Sequence, residues 1–359
     1  MNRQKSLRVA VLFGGRSAEH EVSILSATNV VRAMPSSKYD VMPIYVTREG
    51  QWLLSGVADG VLAKPAKGTE LSLVPGGGGR IMAIPADSEP HELEKIDILF
   101  PVLHGIHGED GAVQGLAEVA RVPLVGCSIL GSAVALDKDI AKRLLKEAGV
   151  PVARSVTIRP GKVPPFKKLE AELGLPLFIK PARQGSSVGV SKVANEEDYE
   201  RALDEGFKHD NKLLAEEFVR GREIECSVLE DLKGGLFVSR PGEIVPAVSR
   251  GFYTYDAKYI DADGAALKVP AELPLEVETA IRDMAAKAFQ AAGCDGMARV
   301  DFFLKLDGHF LVNELNTIPG FTDISMYSKA MAASGVSYPE VIDRLVEHGL
   351  ARAAREPGA

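Results

Sequence analysis

The sequence predicts an α/β fold, and three observations support this prediction. A short apolar run at 7–13 ends at a glycine pair and precedes a stretch with helical spacing that stops before Pro35. A second apolar run, 96–103, is nearly continuous, as in a parallel strand buried on both faces. Strand-like and helix-like stretches alternate, which is typical of an open sheet with ligands at the carboxyl ends of its strands.

The remaining elements follow from the same patterns. We predict strands at 41–46, 177–180 and 190–193, a hairpin at 297–315, and helices at 113–119, 132–148 and 275–292, with another opening at Asn195. The stretch 57–90 has little periodicity and contains four consecutive glycines, so we interpret it as a hairpin or loop insertion. We expect three domains: an N-terminal open parallel α/β domain at 1–130, a central domain at 131–215 and a C-terminal domain at 216–359.

Length and charge exclude some classes of protein. A chain of 359 residues suggests about two to three domains. Its 42 Lys and Arg against 49 Asp and Glu give a net charge of −7, which argues against nucleic acid as a partner. We find neither an apolar stretch long enough for a membrane helix nor a signal peptide pattern. The three cysteines are scattered and odd in number, which indicates buried, reduced thiols in a cytoplasmic protein.

The strongest single motif is the hairpin around Asp307-Gly308, a dipeptide typical of two-residue turns. Such a turn places Asp301 opposite Glu314 and Arg299 opposite Asn316, with all four side chains on one face. Two carboxylates directly opposite each other destabilise a sheet unless a cation lies between them. Carboxylate and amide oxygens suit Mg²⁺ that also binds phosphates, so we predict a metal site at Asp301, Glu314 and Asn316.

A solvated outer sheet face is the alternative interpretation of these charges. Two features favour the metal site instead. Arg299 completes a compact patch of mixed charge, and Asn316 leads into the rigid turn 317–320, whose backbone N–H groups suit an anion.

A second motif, 184–189, is a glycine-rich and serine-rich loop between two strands, which we call the flap. Its glycines permit close backbone approach to phosphates, although no Gly-Lys-Ser/Thr follows to make a P-loop, and an ordinary hairpin turn is the alternative. Lys180 ends a buried strand, where a lysine requires an anionic partner. Lys138 and Lys258 are further candidates for phosphate binding, although single lysines are usually solvated surface groups.

The first loop, starting at Gly14-Gly15, lacks the dinucleotide-binding fingerprint, which disfavours a dehydrogenase. Glu19 and Glu21 follow this loop and either complement a helix dipole or receive a substrate ammonium. His104 and His107 have a spacing that suggests zinc, but no third ligand lies nearby in the sequence.

Taken together, these segments resemble the D-alanine–D-alanine ligases of the ATP-grasp superfamily. The motifs occur in a characteristic order from the first strand to the last helices, except over about 48–94, and a serine stands at 328 where many relatives have proline. They are 14–23, 104–111, 137–138, 179–181 with 185–189, 216–223, 255–259, 299–301 and 314–320.

The resemblance implies that ATP binds between the central and C-terminal domains of an ATP-grasp fold. It implies two Mg²⁺ ions, or Mn²⁺, at the three predicted metal ligands. It also implies an ATP site made of the phosphate-binding Lys138, Lys180, Ser186 and Lys258, the adenine-binding Glu216, Glu217, Phe218 and Val219, the ribose-binding Glu223, and Phe303 and Asn313.

For the substrates, the resemblance implies that Glu19 and His104 bind the ammonium of the first D-alanine. The second D-alanine lies at Ser325 and Met326, and Arg299 with the Gly320 N–H stabilises the oxyanion. A carboxylate of D-alanine attacks the γ-phosphate to give an acyl phosphate, which the amine of the second D-alanine then attacks.

The residue at 259 bears on the choice of second substrate. Tyr259, with Ser186 and Glu19, is similar to the dipeptide-forming members of the family, which favours D-alanine over D-lactate. A D-alanine–D-lactate or D-alanine–D-serine ligase remains an alternative, as does a non-catalytic ATP-binding module. The resemblance further implies a homodimer and a role in the synthesis of peptidoglycan precursors.

Overall fold

The computed structural model describes residues 6–58, 60–246, 265–322 and 324–355. Its strands are β1 (Leu7–Gly14), β2 (Tyr39–Val46), β3 (Trp52–Leu54), β4 (Val57–Ala58), β5 (Val61–Leu62), β6 (Glu70–Leu73), β7 (Ile81–Ile84), β8 (His91–Glu92), β9 (Ile98–Val102), β10 (Ser155–Ile158), β11 (Leu177–Pro181), β12 (Ser191–Val193), β13 (Leu213–Glu217), β14 (Arg222–Glu230), β15 (Leu236–Val238), β16 (Gly242–Pro246), β17 (Ala265–Lys268), β18 (Met297–Leu304) and β19 (Phe310–Asn316). Its helices are α1 (His20–Ala33), α2 (Ala112–Val119), α3 (Ile129–Leu136), α4 (Lys138–Glu147), α5 (Phe166–Leu173), α6 (Glu196–Gly206), α7 (Leu275–Ala291), α8 (Met326–Ala333) and α9 (Tyr338–Ala353).

The N-terminal sheet has seven strands in the order β8-β7-β6-β3-β2-β1-β9. Its centre is parallel, because β1 pairs with both β2 and β9 in that sense. Residues 9–13 of β1 are completely buried, as the apolar run predicts. Apolar residues of α1 and of the last helix, α9, pack in one cluster with β1 and β9, so the end of the chain closes over this sheet.

The stretch 57–90 contributes antiparallel strands to the edge of the same sheet. Strands β6 and β7 form a hairpin that joins β3, which agrees with the hairpin interpretation. The glycine turn between them lies against the body of the domain, and a Cβ at Gly79 would be 2.1 Å from the carbonyl oxygen of Ile96. Glycine is therefore required at this position.

The prediction of one helix over 132–148 is wrong, because two helices, α3 and α4, meet at Asp137. The backbone of Asp137 is extended, and its carboxylate accepts a hydrogen bond from the Ile140 N–H at 3.2 Å, which caps α4. Lys212 holds the same carboxylate, with its Nζ 2.6 Å from Oδ1. Helical periodicity continues through the break because both helices bury apolar residues in one cluster.

The central region is a four-stranded antiparallel sheet in the order β10-β13-β11-β12, packed with apolar residues of α5 and α6. Helix α6 begins as predicted, since the Asn195 side chain accepts from the Asp198 N–H at 2.9 Å. The C-terminal sheet has the order β17-β16-β14-β18-β19, with β15 also paired to β14.

The β18–β19 hairpin confirms the predicted pairs next to the site but not the predicted turn. Asp301 lies opposite Glu314 and Arg299 opposite Asn316. Farther out, however, Leu304 pairs with Phe310, and the loop has three residues, 306–308, rather than two. A β-bulge at 313 restores the predicted register, because it adds one residue to β19.

Two further expectations concern the environment of the chain. Within the described ranges, none of the helices combines the length and apolar character needed to span a bilayer. Cys127, Cys226 and Cys294 are buried free thiols, as the sequence predicts.

Candidate active site

One face of the C-terminal sheet carries the predicted cluster of charges. Arg299 donates two hydrogen bonds of 2.7 Å, from Nε and Nη2, to the two carboxylate oxygens of Asp301. Asn316 donates a third, of 3.0 Å, from its amide nitrogen to Asp301 Oδ2. Adjacent strands thus bring together the side chains that the register predicts.

Glu225, which was not predicted from the sequence, also belongs to this cluster. It lies opposite Asp301 on β14, it is buried, and one of its carboxylate oxygens is 2.9 Å from Arg299 Nε. Arg299 therefore lies between two carboxylates. Strand alternation could have predicted Glu225, because it lies two residues after Glu223 and therefore on the same face of the strand.

The donor set of this face fits a magnesium ion. Asp301, Glu314 and Asn316 offer two carboxylates and one amide oxygen, which are hard ligands for an ion that takes its other ligands from water and phosphate. Among the described residues, no group of three or more His, Cys, Asp or Glu is arranged to hold a metal ion. With these three protein ligands, a Mg²⁺ ion would keep coordination positions for water and for a phosphate-bearing ligand.

Lys138 connects this face to the flap. At the start of α4, its Nζ lies 3.3 Å from a carboxylate oxygen of Glu314 and donates a 2.8 Å hydrogen bond to the carbonyl oxygen of Gln184. The two contacts place a cation between the acidic strand β19 and the beginning of the glycine-rich loop. A polyanion such as a triphosphate would be attracted to this position.

Lys180 has the anionic partner that its position requires. Its Nζ is 2.5 Å from one carboxylate oxygen of Glu216, and Lys142 Nζ is 2.7 Å from the other. Burial alone would raise the pKa of Glu216, but the two lysines outweigh burial and hold the pKa below its usual value. Lys142 is only 3% exposed, and burial lowers its pKa against the attraction of Glu216. Lys142 was not predicted from the sequence, because helical periodicity does not distinguish it from a surface lysine.

Two aromatic rings lie beside this buried acid. The centroids of Phe178 and Phe218 are 5.9 Å apart, and Phe178 lies opposite Glu216 in the sheet. Phe218 is 41% exposed, which leaves an apolar surface available for a flat ring. Glu217 lies on the opposite face of β13 and pairs with Arg154 at 2.6 Å.

The remaining residues predicted to bind the nucleotide occupy the adjoining strands. Glu223 lies opposite Phe303 in the β14–β18 pair. Asn313 stands at the bulge, and its side-chain oxygen is buried without a hydrogen-bond partner among the described residues. Val219 is partly exposed in the connection after β13.

The flap also reaches the N-terminal region. The Ser186 hydroxyl donates a short hydrogen bond to a carboxylate oxygen of Glu19, which is buried at the start of α1. Ser186 and Ser187 both have positive φ, 49° and 60°, in a region of backbone space that is costly for serine. Strain of this kind persists where surrounding contacts impose it, and it clusters at ligand-binding loops.

The burial and hydrogen bonding of His104 favour the neutral imidazole with an acceptor at Nε2. Its Nδ1–H donates a 3.0 Å hydrogen bond to the Ile318 carbonyl oxygen, so Nε2 carries the lone pair. Burial lowers the pKa of His104. Its Nε2 is buried and has no hydrogen-bond partner among the described residues, which suits a donor on a ligand.

Gly320 and Ser325 lie together before α8. A Cβ at Gly320 would be 2.9 Å from the Ser325 hydroxyl oxygen, so a side chain at 320 would displace that hydroxyl. Ser325 accepts a hydrogen bond from the Thr322 N–H at 2.9 Å. Met326 is buried against Gly242 of β16, where a Cβ would meet its sulfur.

Contacts in the structure thus link Glu19, the flap, Lys138, Glu314 and the Arg299 cluster across the N-terminal, central and C-terminal regions. The predicted Lys258 and Tyr259 lie outside the described residues.

Comparison with known families supports the resemblance seen in the sequence. A family model described as D-ala D-ala ligase N-terminus matches residues 8–127, and one described as D-ala D-ala ligase C-terminus matches residues 144–347. The chain belongs to the D-alanine–D-alanine ligase family. The first match includes the stretch 48–94, over which the motifs alone showed no resemblance.

Curated relatives of the family match nearly the whole chain. D-alanine–D-alanine ligase A from Brucella suis is 66% identical, covering 96% of this chain and 98% of that protein. The corresponding protein from Mesorhizobium japonicum is 57% identical, covering 97% and 99%.

Solved structures of the family share the fold. A D-alanine–D-alanine ligase from Coxiella burnetii is 34% identical with a TM-score of 0.84, covering 97% of this chain and 95% of that one. The VanG D-Ala:D-Ser ligase from Enterococcus faecalis is 35% identical with a TM-score of 0.82, covering 96% and 100%. The predicted α/β ATP-grasp fold class is confirmed.

Proposed function

We propose that this chain joins two D-alanine molecules into D-alanyl-D-alanine through an acyl phosphate, releasing ADP and phosphate. The observation that carries this proposal is the position of the flap. Gln184 is joined through Lys138 to the acidic face at Glu314, and Ser186 is bonded to Glu19. A loop that touches both an anion-binding face and a buried acid suits a reaction between a nucleotide and an amino acid.

The nucleotide would lie between the central and C-terminal sheets. Glu216 and the connection after β13 would bind adenine, next to Phe218, and Glu223 would bind the ribose. Lys138, Lys180 and Lys258 would neutralise the charge of the phosphates beneath the flap.

Magnesium ions held by Asp301, Glu314 and Asn316, with Mn²⁺ as a substitute, would lower the charge barrier to attack on the γ-phosphate. In the structure, Arg299 is hydrogen-bonded to the carboxylate of Asp301. When a cation binds that carboxylate, Glu225 would keep the guanidinium of Arg299 in place.

The first D-alanine would lie between the N-terminal and C-terminal sheets. Its ammonium would donate to Glu19 and to the lone pair on His104 Nε2, while its carboxylate points toward the γ-phosphate. A neutral His104 accepts such a bond without repelling the ammonium, and the lowered pKa keeps it neutral.

The second D-alanine would bind with its carboxylate near Ser325 and Met326, and its amine would attack the acyl phosphate. Arg299 and the Gly320 N–H would stabilise the oxyanion as the carbonyl carbon becomes tetrahedral. The closed flap would exclude water, which would otherwise hydrolyse the acyl phosphate.

The test of this proposal is ADP release measured in parallel with D-alanine, L-alanine, D-serine and D-lactate. We expect release with D-alanine, a dipeptide product, and little release with L-alanine. Preferential use of D-lactate or D-serine as the second substrate would overturn the assignment that Tyr259 suggests. ATP binding without any amino-acid-dependent ADP release would instead favour the non-catalytic module.

Lys142 offers a test of the nucleotide site. Replacing Lys142 by methionine is expected to raise the KM for ATP about tenfold, or about 1.4 kcal/mol, because Glu216 loses one of the two cations that hold its buried carboxylate. The KM for D-alanine should stay unchanged, since Lys142 contacts Glu216 rather than the amino-acid pocket. Steady-state kinetics with each substrate varied measures both values. Lys146→Met, at an exposed position of the same helix, is the matched control; equal effects of the two variants would contradict the role.

We also propose the three domains 1–130, 131–215 and 216–359, a homodimer formed through the N-terminal domain, and a cytoplasmic role in making peptidoglycan precursors. Sedimentation of the protein at the mass of a single chain at assay concentrations would contradict the dimer.

A further inference from the structure

Glu109 is a buried acid to which neither the sequence motifs nor the reaction scheme assigns a role. It is 8% exposed and follows β9 in the loop 104–109. Its Oε2 accepts a 2.7 Å hydrogen bond from the Gly105 N–H, within its own loop. Its Oε1 accepts a 3.2 Å hydrogen bond from the N–H of Ile318, which is 209 residues away.

The same loop also binds the other polar group of Ile318. The carbonyl oxygen of Ile318 accepts the hydrogen bond from His104 Nδ1. One residue of the C-terminal region is therefore held at both its N–H and its C=O by the loop that carries His104. Ile318 lies two residues after Asn316 and two before Gly320, in the rigid turn 317–320.

The environment of Glu109 makes burial of its ionised carboxylate energetically unfavourable. Glu19, which precedes α1, and Arg299 of β18 are the charged side chains with the largest effects on it. Burial raises the pKa of Glu109 to about 8, with a further contribution from Glu19, against the opposing effects of its two N–H donors and Arg299. An apolar or amide side chain would avoid this cost, so an acid here requires another advantage. Only the ionised carboxylate is an acceptor at both oxygens without carrying a proton that needs its own partner.

We propose that Glu109 is a positioning residue for the ligase reaction, which holds the turn 317–320 against the His104 loop. It thereby sets the distance between His104, which receives the first amino acid's ammonium, and the Gly320 N–H, which faces the oxyanion. This inference rests on the proposed function. Its physical basis is that a shift of about 1 Å in a reacting group can lower a rate about 100-fold.

Glu109→Gln is the variant that tests the inference, because its amide can accept only one of the two N–H bonds. Above about pH 8, where the unmodified protein has Glu109 ionised, we expect kcat to fall about 30-fold to 100-fold, in the range that such misplacement produces, and the KM for D-alanine to rise. The KM for ATP should remain unchanged, because neither Gly105 nor Ile318 belongs to the nucleotide site. Binding of ADP, followed by thermal shift, should also match that of the unmodified protein, while the shift produced by D-alanine should be lost.

Asp110→Asn is the matched control. Asp110 is the neighbouring acid, and its carboxylate accepts from the N–H groups of His107 and Ala112 within its own loop. It should retain kcat and both KM values within about twofold, since neither bond reaches the C-terminal region. Glu109→Gln and Asp110→Asn together distinguish a link between the His104 loop and the turn 317–320 from local stabilisation of the loop.

The pH profile supplies a second readout. The unmodified protein should gain kcat/KM for D-alanine as pH rises through about 8, where Glu109 ionises and can accept both bonds. Glu109→Gln should lack this rise in kcat/KM with pH, whereas Asp110→Asn should keep it.

Two outcomes would overturn the inference. One is a Glu109→Gln protein with unchanged kinetics and the same rise in kcat/KM with pH. The other is a loss of thermal stability with equal losses in ATP and D-alanine binding, which would show a structural role alone. If the unmodified protein releases no ADP with D-alanine, the proposed function fails first, and that failure is visible before any variant is compared.

Discussion

Replacing Asp301 by asparagine is expected to lower kcat about 1000-fold, a loss of about 4 kcal/mol of transition-state stabilisation. Asp301 and Glu314 are the two carboxylates of the proposed cation site, and the substitution removes one charge while keeping the shape of the side chain. Mg²⁺ titration of ADP release and binding of Mn²⁺ by electron paramagnetic resonance measure the effect. Both should show weaker metal binding in the presence of nucleotide.

The Asp301→Asn protein should remain folded, because Arg299 retains its contact with Glu225. Glu278→Gln is a suitable control, since Glu278 is also a buried acid paired with an arginine, Arg240, but lies on α7 outside the cluster. Unchanged dependence on Mg²⁺ in Asp301→Asn would refute the metal site. A loss of metal affinity in Glu278→Gln as large as that in Asp301→Asn would show that the effect is not local.

Replacing Arg299 by lysine is expected to lower kcat about 100-fold to 1000-fold, as removal of one oxyanion donor typically does. The charge is kept, so the loss would come from geometry. The guanidinium binds both oxygens of Asp301 and also lies against Glu225, and a single ammonium cannot reproduce that arrangement. Single-turnover kinetics would place the loss in the chemical steps rather than in substrate binding.

Arg240→Lys provides the comparison for this variant, because Arg240 forms a similar paired contact with Glu278, at 2.9 and 3.0 Å. It should lose little stability and little activity, because a partly exposed ion pair contributes little to either. Full activity of Arg299→Lys would exclude a role for the guanidinium in the transition state.

The hairpin shows how far local pattern can predict a site. Alternation placed Arg299, Asp301, Glu314 and Asn316 on one face, and the structure agrees. The predicted pairs are correct although the turn is one residue longer than predicted, because the bulge at 313 compensates for it. A dipeptide indicates that the chain reverses, but packing of the strands decides the length of the loop and the place of a bulge.

Two of the missed residues share a different property. Lys142 lies in an ordinary helical pattern, and the motif 104–111 gives Glu109 no role, but both contact distant segments, at Glu216 and Ile318. The wrong helix over 132–148 has the same origin, since Lys212 binds the carboxylate of Asp137 at the break. Short-range periodicity does not contain these partners.

The sequence by itself determined the α/β class, the parallel strands of the N-terminal sheet, several of the helices, and the shared face of the proposed metal ligands, because these follow from alternation and turn chemistry over a few residues. Only the tertiary structure decided that Ser186 meets Glu19 across 167 residues and that Lys138 meets Glu314. Such contacts depend on how the N-terminal, central and C-terminal regions are arranged in space. That arrangement is set by the shapes of whole apolar clusters, which no short stretch of sequence records.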